Sequence, residues 1–183
     1  MPNYRRLAVA GGTYFFTQVT YQRRTWLCND IARATLRDAI NTVRQTYPFS
    51  IDAFVLLPDH LHCIWTLPEG DSDYTTRWRL IKTLVTKRCA TELALNAKVT
   101  DSRSKRKEGN LWQRRFWEHL IRDEVDYARH CHYIHYNPVK HGLCQTPIQW
   151  RFSSVHRFVA QGIYPEDWGV HQMPAIPSQW VGE

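Results

Sequence analysis

The chain has no uninterrupted apolar run of about 18 residues, so no transmembrane helix is expected. Met1 to Arg6 lacks the apolar segment of a secretory signal, and a cytoplasmic location is expected. Its five cysteines are Cys28, Cys63, Cys89, Cys131 and Cys144, an odd and scattered set with no C-x-x-C. That argues against a disulfide framework and a zinc ribbon, and for reduced thiols. No internal repeat is evident. The aromatic RNP signature of RNA-recognition sheets is missing, which counts against a non-catalytic RNA platform.

What is present describes a folded domain. Apolar residues make up 43% of 183 positions and aromatic residues 13%, with eight tryptophans. That is enough to bury a substantial core. The net charge of +7 is unevenly placed. Between Arg77 and Arg115 there are twelve Lys or Arg against three acids (Glu92, Asp101, Glu108), so the remainder is close to neutral. A basic block in a near-neutral chain points to a polyanion, most often nucleic acid.

Residues 13–20, rich in aromatic and β-branched side chains after Gly11-Gly12, read as a strand. Asn29 or Asp30 opens a helix whose apolar positions include Leu36, Ile40 and Val43, and Pro48 closes it. Ser50 to Leu57 and His60 to Leu67 are two more strands joined by a tight turn at Pro58-Asp59. A second helix is expected from about Thr75 to Leu95. A polar basic loop follows from Lys98 to Asn110, then a fourth strand from Leu111 to Ile121. Asp123 begins a third helix, expected to end near Asn137 because of Pro138. The order β-α-β-β-α-β-α gives an α+β fold: a ferredoxin-like sandwich, with an antiparallel sheet and helices on one face. Residues 1–168 form the domain, and 169–183 a C-terminal tail.

Chemistry concentrates in two places. His60 and His62 alternate on a strand, so both imidazoles leave one face, roughly 6–7 Å apart at the backbone. Such a pair can hold one metal ion. Tyr133 and Asn137 stand four apart on a helix and share a face. With that helix over the sheet, Asn137 joins the histidines around a divalent ion, with Mg²⁺, Mn²⁺ or Zn²⁺ open as identities. Tyr133 is then the nucleophile of a phosphodiester transesterification. Tyr127 and Tyr136 lie nearby, but neither precedes an amide by four residues. His130, His132, His135 and His141 read as helix-surface residues rather than ligands. Glu118-His119 reads as a surface ion pair.

Four ordered blocks resemble the REP-associated tyrosine transposases, a branch of the single-tyrosine HUH transposases. They are Gly11-Gly-Thr-Tyr-Phe-Phe-Thr17, the stretch Leu57 to Gly70 around Pro-Asp-His-Leu-His, Trp112-Gln-Arg-Arg-Phe-Trp-Glu-His119 and Tyr133-Ile-His-Tyr-Asn-Pro-Val-Lys-His-Gly142. The resemblance implies a metal site at His60 and His62, with Asn137 as a further ligand, and Mg²⁺ or Mn²⁺ as cofactor. It implies Tyr133 as the nucleophile, forming a 5′-phosphotyrosine. The implied partner is single-stranded or hairpin DNA, taken by a monomer or homodimer. Asn137 departs from the glutamine of related transposases, being one methylene shorter. Lys82, Arg88, Arg114 and Arg115 are candidate phosphate contacts, Trp112 and Trp117 are either stacking platforms or core residues, and Arg5 and Arg6 are candidate readers of bases or phosphates.

Overall fold

The computed structural model describes residues 8–93 and 111–177. Four strands run β1 (Thr13–Val19), β2 (Ser50–Leu56), β3 (His60–Thr66) and β4 (Trp117–Leu120). They form one sheet in the order β2-β3-β1-β4, antiparallel at every junction. The helices are α1 (Asp30–Thr46), α2 (Tyr74–Glu92), α3 (Glu124–Lys140) and the short α4 (Val155–Ala160). This is the expected ferredoxin-like sandwich. No described helix is long and apolar enough to cross a membrane.

Local chemistry sets the helix starts. The Asn29 side chain accepts from the Ile31 N–H, Asp73 accepts from Thr76, and Asp123 accepts from Asp126. Each satisfies a donor that the helix itself leaves open. The β2–β3 turn closes at Pro58-Asp59, with the Leu57 N–H donating to the His60 carbonyl at 2.9 Å. Gly11 adopts φ +68°, and a Cβ on Gly12 would lie 2.8 Å from the Tyr14 ring. The paired glycines therefore make the tight entry into β1.

The expectation of helices on one face is only partly met. Alternate β1 and β3 residues (Tyr14, Phe16, Leu61, Cys63, Trp65) pack under α1 and α2. The other alternation (Phe15, Ile64) packs with Ala53 and Val55 against Cys131, Tyr133 and Ile134 of α3 and Val155 and Phe158 of α4. The sheet is thus covered on both faces, and near-continuous apolar strands are the reason. Strand β4 is four residues long rather than eleven; Trp112 instead makes an isolated bridge to Thr20.

Helix α3 does not stop before Pro138 but continues to Lys140. Proline forfeits one backbone donor, and in the last turn that loss is small: His141 N–H still reaches the Asn137 carbonyl at 3.0 Å, and Leu143 reaches Pro138 at 2.9 Å. This extra turn brings His141 into play. Of the tail beyond 168, the described part lies on the outer side of α3, where the Ala175 carbonyl meets His132 Nδ1 at 3.1 Å and Gly169 approaches Tyr136.

Candidate active site

His60 and His62 leave β3 on the α3 face of the sheet, and their ring centres stand 4.9 Å apart. The Tyr133 ring lies 5.0 Å from His62, and the His141 ring lies 5.1 Å from His60. Tyr133, Asn137 and His141 are successive i, i+4, i+8 positions, a single stripe along α3 and its C-cap. One end of the stripe meets one histidine and the other end meets the second, so Asn137 falls between them.

Each histidine is oriented by a second residue. His60 Nδ1 donates to the Asp59 carboxylate at 2.6 Å, and Arg23 lies 3.2 Å from the same carboxylate. Burial works to raise the Asp59 pKa, but the hydrogen bonds and charges of His60 and Arg23 outweigh it and hold the group at about 2. His62 Nδ1 shares a 2.8 Å hydrogen bond with the Thr17 hydroxyl. Thr17 sits directly opposite His62 in the β1–β3 register. With Nδ1 of each ring engaged in this way, the Nε2 atoms are the ones that would face a metal, an arrangement usual for metal-bound histidine. Burial foremost, then the electrostatic influence of His60, His141, Lys140 and Arg23, holds His62 well below its usual pKa.

The site carries polar atoms that ask for a ligand. His62 Nε2 and both side-chain atoms of Asn137 are buried, with no hydrogen-bond partner among the described residues. Leaving such groups unpaired costs about 1–3 kcal/mol each. Two imidazole nitrogens and an amide oxygen fit a divalent ion such as Mn²⁺, so the donor set suits the group the sequence implied. Tyr133 itself is 1% exposed, and the Lys140 ammonium stands 5.1 Å from its ring centre.

The other sequence candidates are placed less uniformly. Tyr136 is directed toward Gly169 rather than the histidine pair, and Tyr127 packs on the α3–α4 core. Trp112 is 6% exposed and wedged 5.4 Å from Trp26, so its indole belongs to the core rather than to an open platform. Trp117 is 49% exposed and pairs with Thr17 across β1–β4, which puts it on the same face as the histidines, two strands away. Lys82 donates to the Gln113 carbonyl at 3.3 Å, beside the rings of Trp112 and Phe116. Arg88 is engaged by Glu92 at 2.8 Å and Asp38 at 3.4 Å. Arg114 and Arg115 are exposed just ahead of β4. Arg5, Arg6 and the basic loop from 98 to 110 lie outside the described residues.

Several expectations are corrected. Glu118 and His119 point to opposite faces of β4, and Glu118 is buried, so they form no surface pair. His119 instead meets Asp126 at 2.8 Å, and Asp126 also lies 3.2 Å from His130. The two rings stack at 4.6 Å and 17°. Near-parallel rings do not direct their in-plane lone pairs at one ion, so this trio reads as a clamp between β4 and the start of α3. His130 and His135 are fully buried rather than surface residues; His135 bridges Tyr164 at 3.1 Å and Ser154 at 2.8 Å. Thr17 and Asp59 are residues that sequence reasoning passed over, and His141, read there as a helix-surface residue, stands beside His60. Asp59 adjoins His60, and His141 continues the Tyr133–Asn137 spacing; both carried a signal. Thr17 required knowledge of strand register.

Residues 8–137 match the family described as "Transposase IS200 like", and the chain belongs to that family. Within it, the chain resembles the REP-associated tyrosine transposases. It is 46% identical over 168 residues to the REP-associated tyrosine transposase of Escherichia coli (strain K12), covering 92% of this chain and 91% of that one. A relative from Haemophilus influenzae is 44% identical over 169 residues, covering 92% and 94%. A solved structure of a REP-associated tyrosine transposase bound to a REP hairpin matches with a TM-score of 0.78 at 43% identity, covering 97% of this chain and 98% of that one.

Proposed function

We propose that the protein is a metal-dependent DNA endonuclease and strand transferase. It acts on single-stranded or hairpin DNA of the REP type, through a covalent 5′-phosphotyrosine at Tyr133. The observation that carries this reading is the contact of Tyr133 with His62, beside the unpaired Nε2 of His62 and the unpaired amide of Asn137. The hairpin-bound relative supports the substrate class. His60, His62 and Asn137 would hold a Mg²⁺ or Mn²⁺ ion, which would neutralise charge on the phosphate under attack.

The chain's own residues do the rest. The Tyr133 oxygen attacks phosphorus; the new O–P bond forms as the P–O3′ bond breaks. The phenol loses its proton and the departing 3′-oxygen gains one, so no electrons or net protons are consumed. Bond energy is kept in the phosphotyrosine, and attack by a 3′-hydroxyl reverses the step. The Lys140 ammonium adds positive charge beside the phenol as negative charge develops. Asp59 and Thr17 fix the two rings. Lys82, Arg114 and Arg115 are proposed phosphate contacts, and Arg5 and Arg6 are proposed to meet the same strand. The working assembly is proposed to be a monomer or homodimer. A cytoplasmic location fits the substrate.

The test is direct. Hairpin DNA labelled at its 3′ end, on the fragment that stays joined to the tyrosine, is incubated with the protein and Mn²⁺, then run on a denaturing protein gel. Label should travel with the unaltered protein and with Tyr136→Phe, and not with Tyr133→Phe. Binding without any cleavage would establish a non-catalytic nucleic-acid-binding protein instead. Cleavage by Tyr133→Phe would establish a water-using hydrolase.

A further inference from the structure

A second feature lies on the opposite face of the sheet. A cleft of about 520 Å³ runs between α1 and the segment 151–154 beside β2, and four arginines line it: Arg33, Arg37, Arg44 and Arg151. Among the described residues no carboxylate lines it. None of these arginines belongs to the basic block of the sequence; the fold gathers them from a chain region that is otherwise near neutral. Arg33, Arg37 and Arg44 recur at spacings of four and seven, one face of α1. Arg151 arrives because the following residues dock on β2: Leu56 N–H donates to the Phe152 carbonyl at 2.9 Å, and Ser154 N–H to Phe54 at 2.8 Å.

The floor is apolar, with Leu36, Ile40, Phe54 and Phe152. The guanidinium groups of Arg33 and Arg151 lie 4.3 and 5.0 Å from the Phe152 ring centre. Arg33 also pairs with Asp30. Its Nε, however, is buried without an acceptor among the described residues. A buried guanidinium N–H that lacks an acceptor, at the wall of a cleft rimmed by arginines, calls for an anion.

We propose that this cleft binds the phosphate backbone of a single-stranded DNA segment that flanks the reacting nucleotide; the inference rests on the DNA reading above. A single strand is the occupant that matches both halves of the cleft. Its phosphates meet the arginines, and its unstacked bases lie on the apolar floor. A duplex turns its bases inward and presents only sugar and phosphate to such a floor. The volume is that of a ligand pocket, too small for the width of a duplex.

The experiment compares two DNAs on the full chain: a blunt hairpin and the same hairpin with a single-stranded tail. Affinity is measured by fluorescence anisotropy over a salt series, for the unaltered protein and for Arg37→Ala/Arg151→Ala. Both side chains are exposed, so the fold should be kept. The variant should lose about tenfold in affinity for the tailed DNA and little for the blunt one. The slope of log affinity against log salt for the tailed DNA should fall by about 1.4, at roughly 0.7 per phosphate contact on a single strand. Single-turnover cleavage at saturating DNA should be unchanged. Equal affinity for tailed DNA in both proteins, or an equal loss on both DNAs, overturns the assignment while leaving the catalytic reading intact. Failure of the unaltered protein to bind either DNA overturns both.

Discussion

The Thr17 hydroxyl and His62 Nδ1 lie 2.8 Å apart, joined across β1 and β3 on the face that α3 covers. This contact fixes which nitrogen of His62 faces the site. Thr17→Val keeps the shape and removes the partner. Its affinity for Mn²⁺, measured by titration calorimetry, should fall about 10- to 100-fold, the usual cost of losing a residue that orients a metal-bound histidine. Thr17→Ser should retain most of it. Unchanged affinity in Thr17→Val would remove this role.

Asn137 should show a conflict between stability and function. Its amide is fully buried and has no partner among the described residues. Asn137→Leu has nearly the same shape and no polar atoms. In the absence of metal it should be more stable by about 1–2 kcal/mol in urea unfolding. It should also lose the rise in Tm that Mn²⁺ gives the unaltered protein. A less stable variant that still responds to Mn²⁺ would show that Asn137 serves packing.

Acid should unfold the protein through its buried histidines. Burial, with His132, Arg157 and His156 nearby, pushes His135 from the ordinary value near 6.5 down to about 3. The unfolded chain therefore binds this proton first. Stability is fully present above about pH 6.5 and falls as pH drops toward the folded value, by about 2–3 kcal/mol at pH 4.5. Urea midpoints at pH 7 and pH 4.5 read the loss directly, and His135→Gln should flatten the difference. An identical pH dependence in the variant would assign the acid sensitivity to other groups.

Trp117 is an exposed aromatic on the face that carries His60 and His62. Trp117→Ala should weaken single-stranded DNA binding by about 1–3 kcal/mol, as the loss of a base-stacking surface does. Trp117→Phe should restore part of it. Trp112→Ala should act differently: it should lower Tm by opening the core beside Trp26. Equal effects of the two alanine variants on Tm and on DNA affinity would contradict this division.

Much of this arrangement is legible in sequence. The two-residue period put His60 and His62 on one face, and the four-residue helical spacing put Tyr133 above Asn137, because both patterns are local. The order of strands and helices followed from the same periods. The helix on the second face was not read, because apolar alternation in β1 and β3 was continuous and did not tell which face was left over. His141 was set aside with the other histidines of the segment because no face shared with Asn137 was evident; its spacing of four from Asn137 counts only because the helix runs on past Pro138. Thr17 depended on register, and register is a property of two strands rather than one. The arginine cleft joins residues more than a hundred positions apart, so only the folded chain reveals it.

With 1% of its surface open, Tyr133 sits in a crevice between strand and helix. A broad, stiff double helix has no part narrow enough to enter such a slot. A lone strand can bend a single phosphate inward and reach the phenol. Discrimination between paired and unpaired DNA would then be a matter of shape at the doorway, settled before any bond is made or broken.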